Sequence, residues 1–283
     1  MQIGFFLKKI FSFLQLLRYQ NLLITTFTLF FSNLFLVGQS NAMDFGFLAL
    51  VLSTVFVAGG GYLINDLYDI KIDLYNKPDS VLIGSVFSKR WVIITYFLIN
   101  SFALLLGFFV SNMVGLIDIA CIFSLWLYAF WLKKMPLYGN VLVALLSAMV
   151  VLMLNIFYHN DNQEVYLLAI FAFFISLIRE IVKDMEDIEG DKVGGCNTFP
   201  IVFGIKNSKF LIGIILIFFL LFLEFYSLIF NELHANIVYQ FCMPISLLFF
   251  AYRLYSAQNK SEFHQLSSLC KLLMLFGLIG VIT

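Results

Sequence analysis

Uncharged apolar runs of about 20 residues, the length that crosses roughly 30 Å of hydrocarbon, recur along this chain. A β-barrel would read as alternating strands of about ten residues, whereas these runs are continuous. The expectation is an all-α, polytopic membrane protein. Composition agrees: 62% of the 283 residues are hydrophobic and 12% charged, against about 45–50% and about 25% in soluble domains. Nine spans are expected, at 20–38, 45–64, 91–110, 112–132, 140–158, 165–183, 209–230, 235–254 and 266–283. The first residues do not read as a signal peptide. They carry Lys8, Lys9 and Arg18, and no small-residue cleavage site follows a short apolar core.

Charge is sorted by side. With these nine spans, all 17 Lys and Arg residues fall before the first span, in the connections 2–3, 4–5, 6–7 and 8–9, or in the span ends that flank those connections. The opposite connections, near Asp44, Asn112, Asp161 and Glu232, carry none. The positive-inside rule makes the basic side cytoplasmic. The expectation is a multi-pass protein of the cell's inner or plasma membrane, with a cytoplasmic N-terminus. Membrane lipids are its expected surroundings, nucleic acid is not an expected partner, and nothing in the sequence indicates an oligomeric state. Cys121, Cys196, Cys242 and Cys270 are scattered, and His159, His234 and His264 lack ligand spacing, so no zinc site is indicated.

Two long cytoplasmic loops, 65–90 and 184–208, concentrate carboxylates. The first opens NDLYDIKID with Asp66, Asp69 and Asp73, and the second opens KDMEDIEGD (183–191) with Asp184, Asp187 and Asp191. Both triplets run i, i+3, i+7, which on a helix places three acids along one face. Like charges so arranged repel, so a cation is expected to neutralise them. Oxygen ligands without Cys or His select a hard ion, and Mg²⁺ is commonly held by one or two carboxylates plus substrate phosphates. The pattern points to Mg²⁺ carried with a diphosphate, not to a protein cation. One domain spanning 1–283 is expected, with pseudo-repeat halves of about 18–134 and 135–256 and the last span as an extra.

These motifs resemble those of the UbiA superfamily of intramembrane prenyltransferases. NDxxDxxxD is matched by Asn65, Asp66, Asp69 and Asp73, and KDxxDxxGD by Lys183, Asp184, Asp187, Gly190 and Asp191. RYQN (18–21) resembles an RPxN pattern, LYAFWLKKMPLYGNVLVA (127–144) a segment after helix four, and GGCNTFPIVFG (194–204) a segment after the second motif. Residues 179–191 look most like the geranylgeranylglyceryl phosphate geranylgeranyltransferase-type branch. The resemblance implies nine helices and Mg²⁺-dependent ionisation of an allylic diphosphate, likened to geranylgeranyl diphosphate. The isoprenyl group passes to a lipophilic acceptor, a glycerol-phosphate ether in that branch.

In that implied site, Asp66, Asp69 and Asp73 hold one metal and Asp187 and Asp191 another, with Asp184 alongside. Asp66, Asp69, Asp187, Lys133 and Tyr128 carry the catalytic roles. Asn65 is either a ligand or a helix-end cap. Lys133 and Lys134 either contact diphosphate oxygens or mark the cytoplasmic helix end, and Tyr128 either reaches the substrate or is an interfacial tyrosine. Arg18 and Asn21 either meet the acceptor or anchor the first span, and Arg179 and Lys183 either bind acceptor or form ion pairs. The sequence departs from the family at NKPDSVLIG, where Ser80 and Val81 replace an Arg-Pro pair. Any lost phosphate contact then falls to Lys77, Lys89 or Arg90. Two other readings stand beside this one. A UbiA-type aromatic prenyltransferase for quinone or haem precursors would share the motifs. A membrane transporter would instead place ionisable groups at the membrane midplane.

Overall fold

A computed structural model describes residues 2–37, 44–230 and 241–280 of the chain. The helices are α1 (Gln2–Leu16), α2 (Tyr19–Phe35), α3 (Phe45–Asn76), α4 (Lys89–Val110), α5 (Asn112–Phe130) and α6 (Tyr138–Tyr158). They continue with α7 (Gln163–Glu186), α8 (Ile188–Val193), α9 (Phe199–Phe230), α10 (Met243–Ser256) and α11 (Lys260–Gly280). Among the described residues a helix occupies each of the nine expected spans. Seven of these, α3 to α7, α9 and α11, are long and apolar enough to cross a membrane. The other two are shorter: α2 has 17 residues and α10 has 14. Residue 38 of the first expected span, 235–240 of the eighth and 281–283 of the ninth lie outside the described residues.

Helix starts follow local capping chemistry. Ser88 accepts a hydrogen bond from the Trp91 amide, Ser111 from that of Val114, and Asn162 from those of Glu164 and Val165. Before α11, Asn259 and Glu262 exchange side-chain-to-amide bonds as a reciprocal capping box. Two helices are longer than hydropathy indicated. α3 continues from the expected end at 64 to Asn76, and α9 begins at Phe199 and is broken at Gly204 (φ 85°, ψ 161°). That backbone region is open essentially to glycine alone, so Gly204 divides a short leading segment from the apolar helix after it.

The chain divides into two compact units. The first comprises Met1–Lys133 and Met153–Asp161, and the second Lys134–Leu152 and Asn162–Thr283.

In the first unit α3 is the central helix, packed against α4 and α5. Small residues allow the close approach. A Cβ on Gly60 would lie 2.6 Å from the Asn100 side-chain oxygen, and one on Gly61 2.8 Å from a Leu125 methyl. α3 is one unbroken helix through Gly59, Gly60 and Gly61, so these glycines serve packing and not a bend. Asp118 on α5 is buried, accepts a hydrogen bond from Ser53 of α3 and lies beside Gly107 of α4. The three-helix contact encloses its carboxyl.

In the second unit α7 is the buried centre, packed on α11 and α9. Phe171 sits edge-on to Phe219 at 5.4 Å between centroids, and Phe174 stacks on Phe219 at 4.9 Å. Lys209 of α9 donates to the carbonyls of Tyr255, at 3.2 Å, and Ala257 at the end of α10. It thereby satisfies orphan carbonyls at the negative end of that helix dipole.

Candidate active site

The first acidic motif is helical because α3 runs past the apolar span into it. Helix propensity does not end where hydropathy does: Asp66, Asp69 and Asp73 sit in the last three turns of α3. The i, i+3, i+7 spacing therefore does set three carboxylates on one helix face. The segment that follows holds a 3₁₀ turn (Pro78–Ser80) and a tight loop bridged between Ile83 and Phe87, with Gly84 at φ 97°. Ile83 and Phe87 bury themselves with Leu16, Leu63 and Val92, which anchors the loop over the end of α3.

Protein cations already meet these carboxylates. Arg18 Nη2 donates to Asp66 Oδ1 at 2.7 Å, and its guanidinium lies 5.0 Å from the Tyr62 ring centroid. Arg18 itself takes a left-handed conformation (φ 53°) at the joint between α1 and α2. Burial opposes its charge, but Asp66, Tyr62 and Asp73 outweigh that and hold its pKa above the ordinary value. Lys133, from the turn after α5, donates to Asp69 Oδ1, and Asn65 Nδ2 donates to Asp69 Oδ2 at 2.7 Å. The Lys133 ammonium also sits 6.0 Å from the Tyr68 ring centroid. The expectation that no protein cation neutralises this motif is thus corrected. The partners come from 48 and 64 residues away in sequence, where no local pattern reveals them.

The second motif is built differently. α7 carries Arg179, Lys183 and Asp184 and ends at Glu186. Asp187 (φ −103°, ψ 11°) is the joint between α7 and α8, and Asp191 lies within α8. The three acids do not share one continuous helix face, as their spacing implied. The ψ at Asp187 is far from the helical value near −42°, which turns the next peptide out of the α7 ladder. Asn140 of α6 donates to Asp184 Oδ2 at 2.8 Å. Asp187 Oδ1 is buried without a hydrogen-bond partner. The Cys196 amide donates to the Asp191 carbonyl at 2.8 Å and the Asn197 amide to the Lys134 carbonyl at 2.9 Å, fixing the turn after α8.

The remaining candidates are placed as follows. Arg179 pairs with its neighbour Glu180, which favours the ion-pair reading for that residue. Lys183 is half-buried in the last turn of α7. Tyr128 on α5 and Asn21 in the first turn of α2 are half-buried, while Lys77, Lys134, Lys89 and Arg90 are exposed. Sequence reading did not single out Asn140 as a site residue, although it stands in the GN of the segment at 127–144. It also missed Glu186, whose buried carboxylate meets His264 Nδ1 of α11 at 3.0 Å.

Among the described residues no three His, Cys, Asp or Glu side chains converge as a ready-made metal cage. The donors nevertheless fit Mg²⁺ held jointly with phosphate oxygens. They are all hard oxygens, and Asn65 Oδ1 and Asp187 Oδ1 are buried without hydrogen bonds.

Comparison with known proteins bears on this arrangement. The UbiA prenyltransferase family model matches residues 22–275. The chain is 32% identical to a digeranylgeranylglyceryl phosphate synthase of Methanosphaera stadtmanae, over 80% of this chain and 83% of that protein. It is 29% identical to one from Methanosarcina barkeri, over 96% and 97%. A solved structure concerning digeranylgeranylglyceryl phosphate synthase superposes with a TM-score of 0.72 at 25% identity, covering 97% of this chain and 98% of that one. A UbiA homologue from Archaeoglobus fulgidus, solved with GPP and Mg²⁺, shares the fold with a TM-score of 0.69 at 16% identity, covering 96% and 100%. With its helical architecture, its acidic motifs and a family match that spans most of its length, this integral membrane protein belongs to the UbiA prenyltransferase family.

Proposed function

We propose that the protein moves a geranylgeranyl group from its diphosphate to the free hydroxyl of a glycerol-phosphate ether. The observation that carries this reading is the pair of acidic motifs, all hard oxygens with two of them buried and unpartnered, in a chain aligned with digeranylgeranylglyceryl phosphate synthases over most of its length.

Asp66, Asp69 and Asp73 in one unit, and Asp184, Asp187 and Asp191 in the other, are the carboxylates that would hold Mg²⁺. Bound Mg²⁺ supplies Lewis-acid stabilisation of charge on the departing diphosphate. Lys133 brings a compact ammonium with three donors on a flexible stem, suited to phosphate oxygens. Arg18 brings a planar fork already oriented by Asp66 and the Tyr62 face. Asn65 aligns Asp69 through its amide and keeps a carbonyl oxygen available. Tyr128 presents a hydroxyl and a π face on α5, either of which suits an allylic cation or its leaving group. Lys183, Lys77, Lys134 and Asn21 are the further groups assigned to substrate contact, while Arg179 stays in its ion pair with Glu180. The sorting of every Lys and Arg to one side supports a cytoplasmic active face in the plasma membrane.

The test is direct. Purified protein in detergent receives labelled geranylgeranyl diphosphate and Mg²⁺ with geranylgeranylglyceryl phosphate, and in parallel with naphthoate, hydroxybenzoate, homogentisate or protohaem. Product with the glycerol phosphate is expected. Product with an aromatic acceptor alone would move the assignment to the aromatic branch. No Mg²⁺-dependent product with any acceptor would overturn it.

A further inference from the structure

We propose that Lys133 and Arg18 are built-in counterions that occupy the first acidic motif in the metal-free protein and yield it only when metal and diphosphate arrive together. The inference rests on the proposed transfer reaction and concerns how its first motif is kept.

Both oxygens of Asp69 are engaged. Lys133 takes Oδ1 and Asn65 takes Oδ2. The Lys133 and Asp69 side chains are 8% and 15% exposed, so this pair is largely withdrawn from water. Asp66 gives one oxygen to Arg18, in a pair that is 34% and 18% exposed. Both cations are held on aromatic faces, Lys133 on Tyr68 and Arg18 on Tyr62, so each has a second contact that keeps it near its carboxylate.

A divalent ion approaching Asp69 alone must displace an ammonium from the same oxygen and then lie beside it. In a site of lowered dielectric that repulsion is large. A diphosphate changes the balance. It carries several negative charges, and the lysine can transfer its donors to phosphate oxygens as the carboxylate turns to the metal. The counterions therefore couple the two ligands: each is bound weakly alone and strongly with the other. Before that exchange, the two cations offset part of the repulsion among the carboxylates on this helix face.

The test measures metal alone. Mn²⁺, as a paramagnetic stand-in for Mg²⁺, is titrated into purified full-length protein without substrate, and free Mn²⁺ is counted by electron paramagnetic resonance. Lys133→Met keeps the apolar stem and removes the charge. It is expected to bind Mn²⁺ at least about tenfold more tightly than wild type. Its melting temperature should fall in chelator and recover on adding Mn²⁺ by a larger increment than wild type. In an Asp69→Asn background, Lys133→Met should change Mn²⁺ affinity by less than about twofold. Equal or weaker Mn²⁺ binding by Lys133→Met overturns the proposal. Should that variant not fold even with Mn²⁺ present, Arg18→Gln at the more exposed pair decides by the same criterion. Wild-type prenyl transfer, assayed separately, keeps the two readings distinct. Turnover with unchanged metal affinities would remove the counterion role alone. Absent turnover with tightened affinities would remove the transfer reaction alone.

Discussion

Replacing Asn140 with leucine tests whether the second acidic motif depends on a residue outside it. Asn140 is buried, and its amide donates to Asp184 Oδ2 at 2.8 Å. Leucine approximates its volume and removes the donor. Burial pushes the Asp184 carboxyl well above the usual carboxylate range, so the loss is that of a buried acceptor left without its donor, about 1–3 kcal/mol. At about 2 °C per kcal/mol for a chain of this size, the melting temperature should fall by roughly 2–6 °C. The decisive measurement is a cycle of Asn140→Leu, Asp184→Leu and the double variant, denatured at one fixed scan rate in detergent. With Asp184 gone, Asn140→Leu has no partner to orphan, so the two losses should not add. The expected coupling is at least about 1 kcal/mol. If Asp184 holds metal as proposed, activity should respond too, because a group that orients a metal ligand is typically worth about 10–100-fold. Additive losses, within about 0.5 kcal/mol, would show that this bond does not hold Asp184 and would refute the reasoning.

Further outcomes follow from other contacts. Asp69→Asn and Asp187→Asn should each lower Mg²⁺-dependent turnover by at least about a hundredfold; Asp69→Asn leaves the buried Lys133 without its carboxylate and should also lower the melting temperature, whereas Asp187→Asn should melt near wild type, and full rates in either would contradict the metal assignment. Gly277→Ala would put a Cβ 2.2 Å from a ring carbon of the buried Phe171. It should cost about 1–3 kcal/mol by overpacking, partly relieved by Phe171→Leu, as read by thermal denaturation. Ser53→Ala removes the donor to the buried Asp118 and should cost about 1–3 kcal/mol. Adding Asp118→Leu should restore most of it, and equal melting of Ser53→Ala and wild type would discount the pair. Chelation should abolish turnover, and Mg²⁺ should return it.

Much of the architecture was legible because bilayer thickness constrains helix length through hydropathy, which is a local property. The spans at α3 to α7 were readable for that reason. The end of α3 was not, because hydropathy stops at Ile64 whereas the backbone ladder continues through the charged turns to Asn76. The two acidic triplets have identical spacing and unlike structures. The first lies on one helix, and the second is divided at Asp187. Spacing reports which residues would share a face if the helix is unbroken, and it carries no information about where a single ψ departs from helical geometry.

The site shows the same boundary. The residues proposed to bind metal and phosphate were chosen by type and spacing, since carboxylate oxygens and clustered cations have their chemistry wherever they stand. Which cation meets which carboxylate was decided by tertiary structure. Arg18 reaches Asp66, Lys133 reaches Asp69, and Asn140 reaches Asp184 across 48, 64 and 44 residues of chain. By itself the sequence determined a helical membrane protein with two acidic motifs suited to a hard ion. Only the folded chain determined that the first motif already holds cations of its own, because distance through space, not along the chain, sets an ion pair.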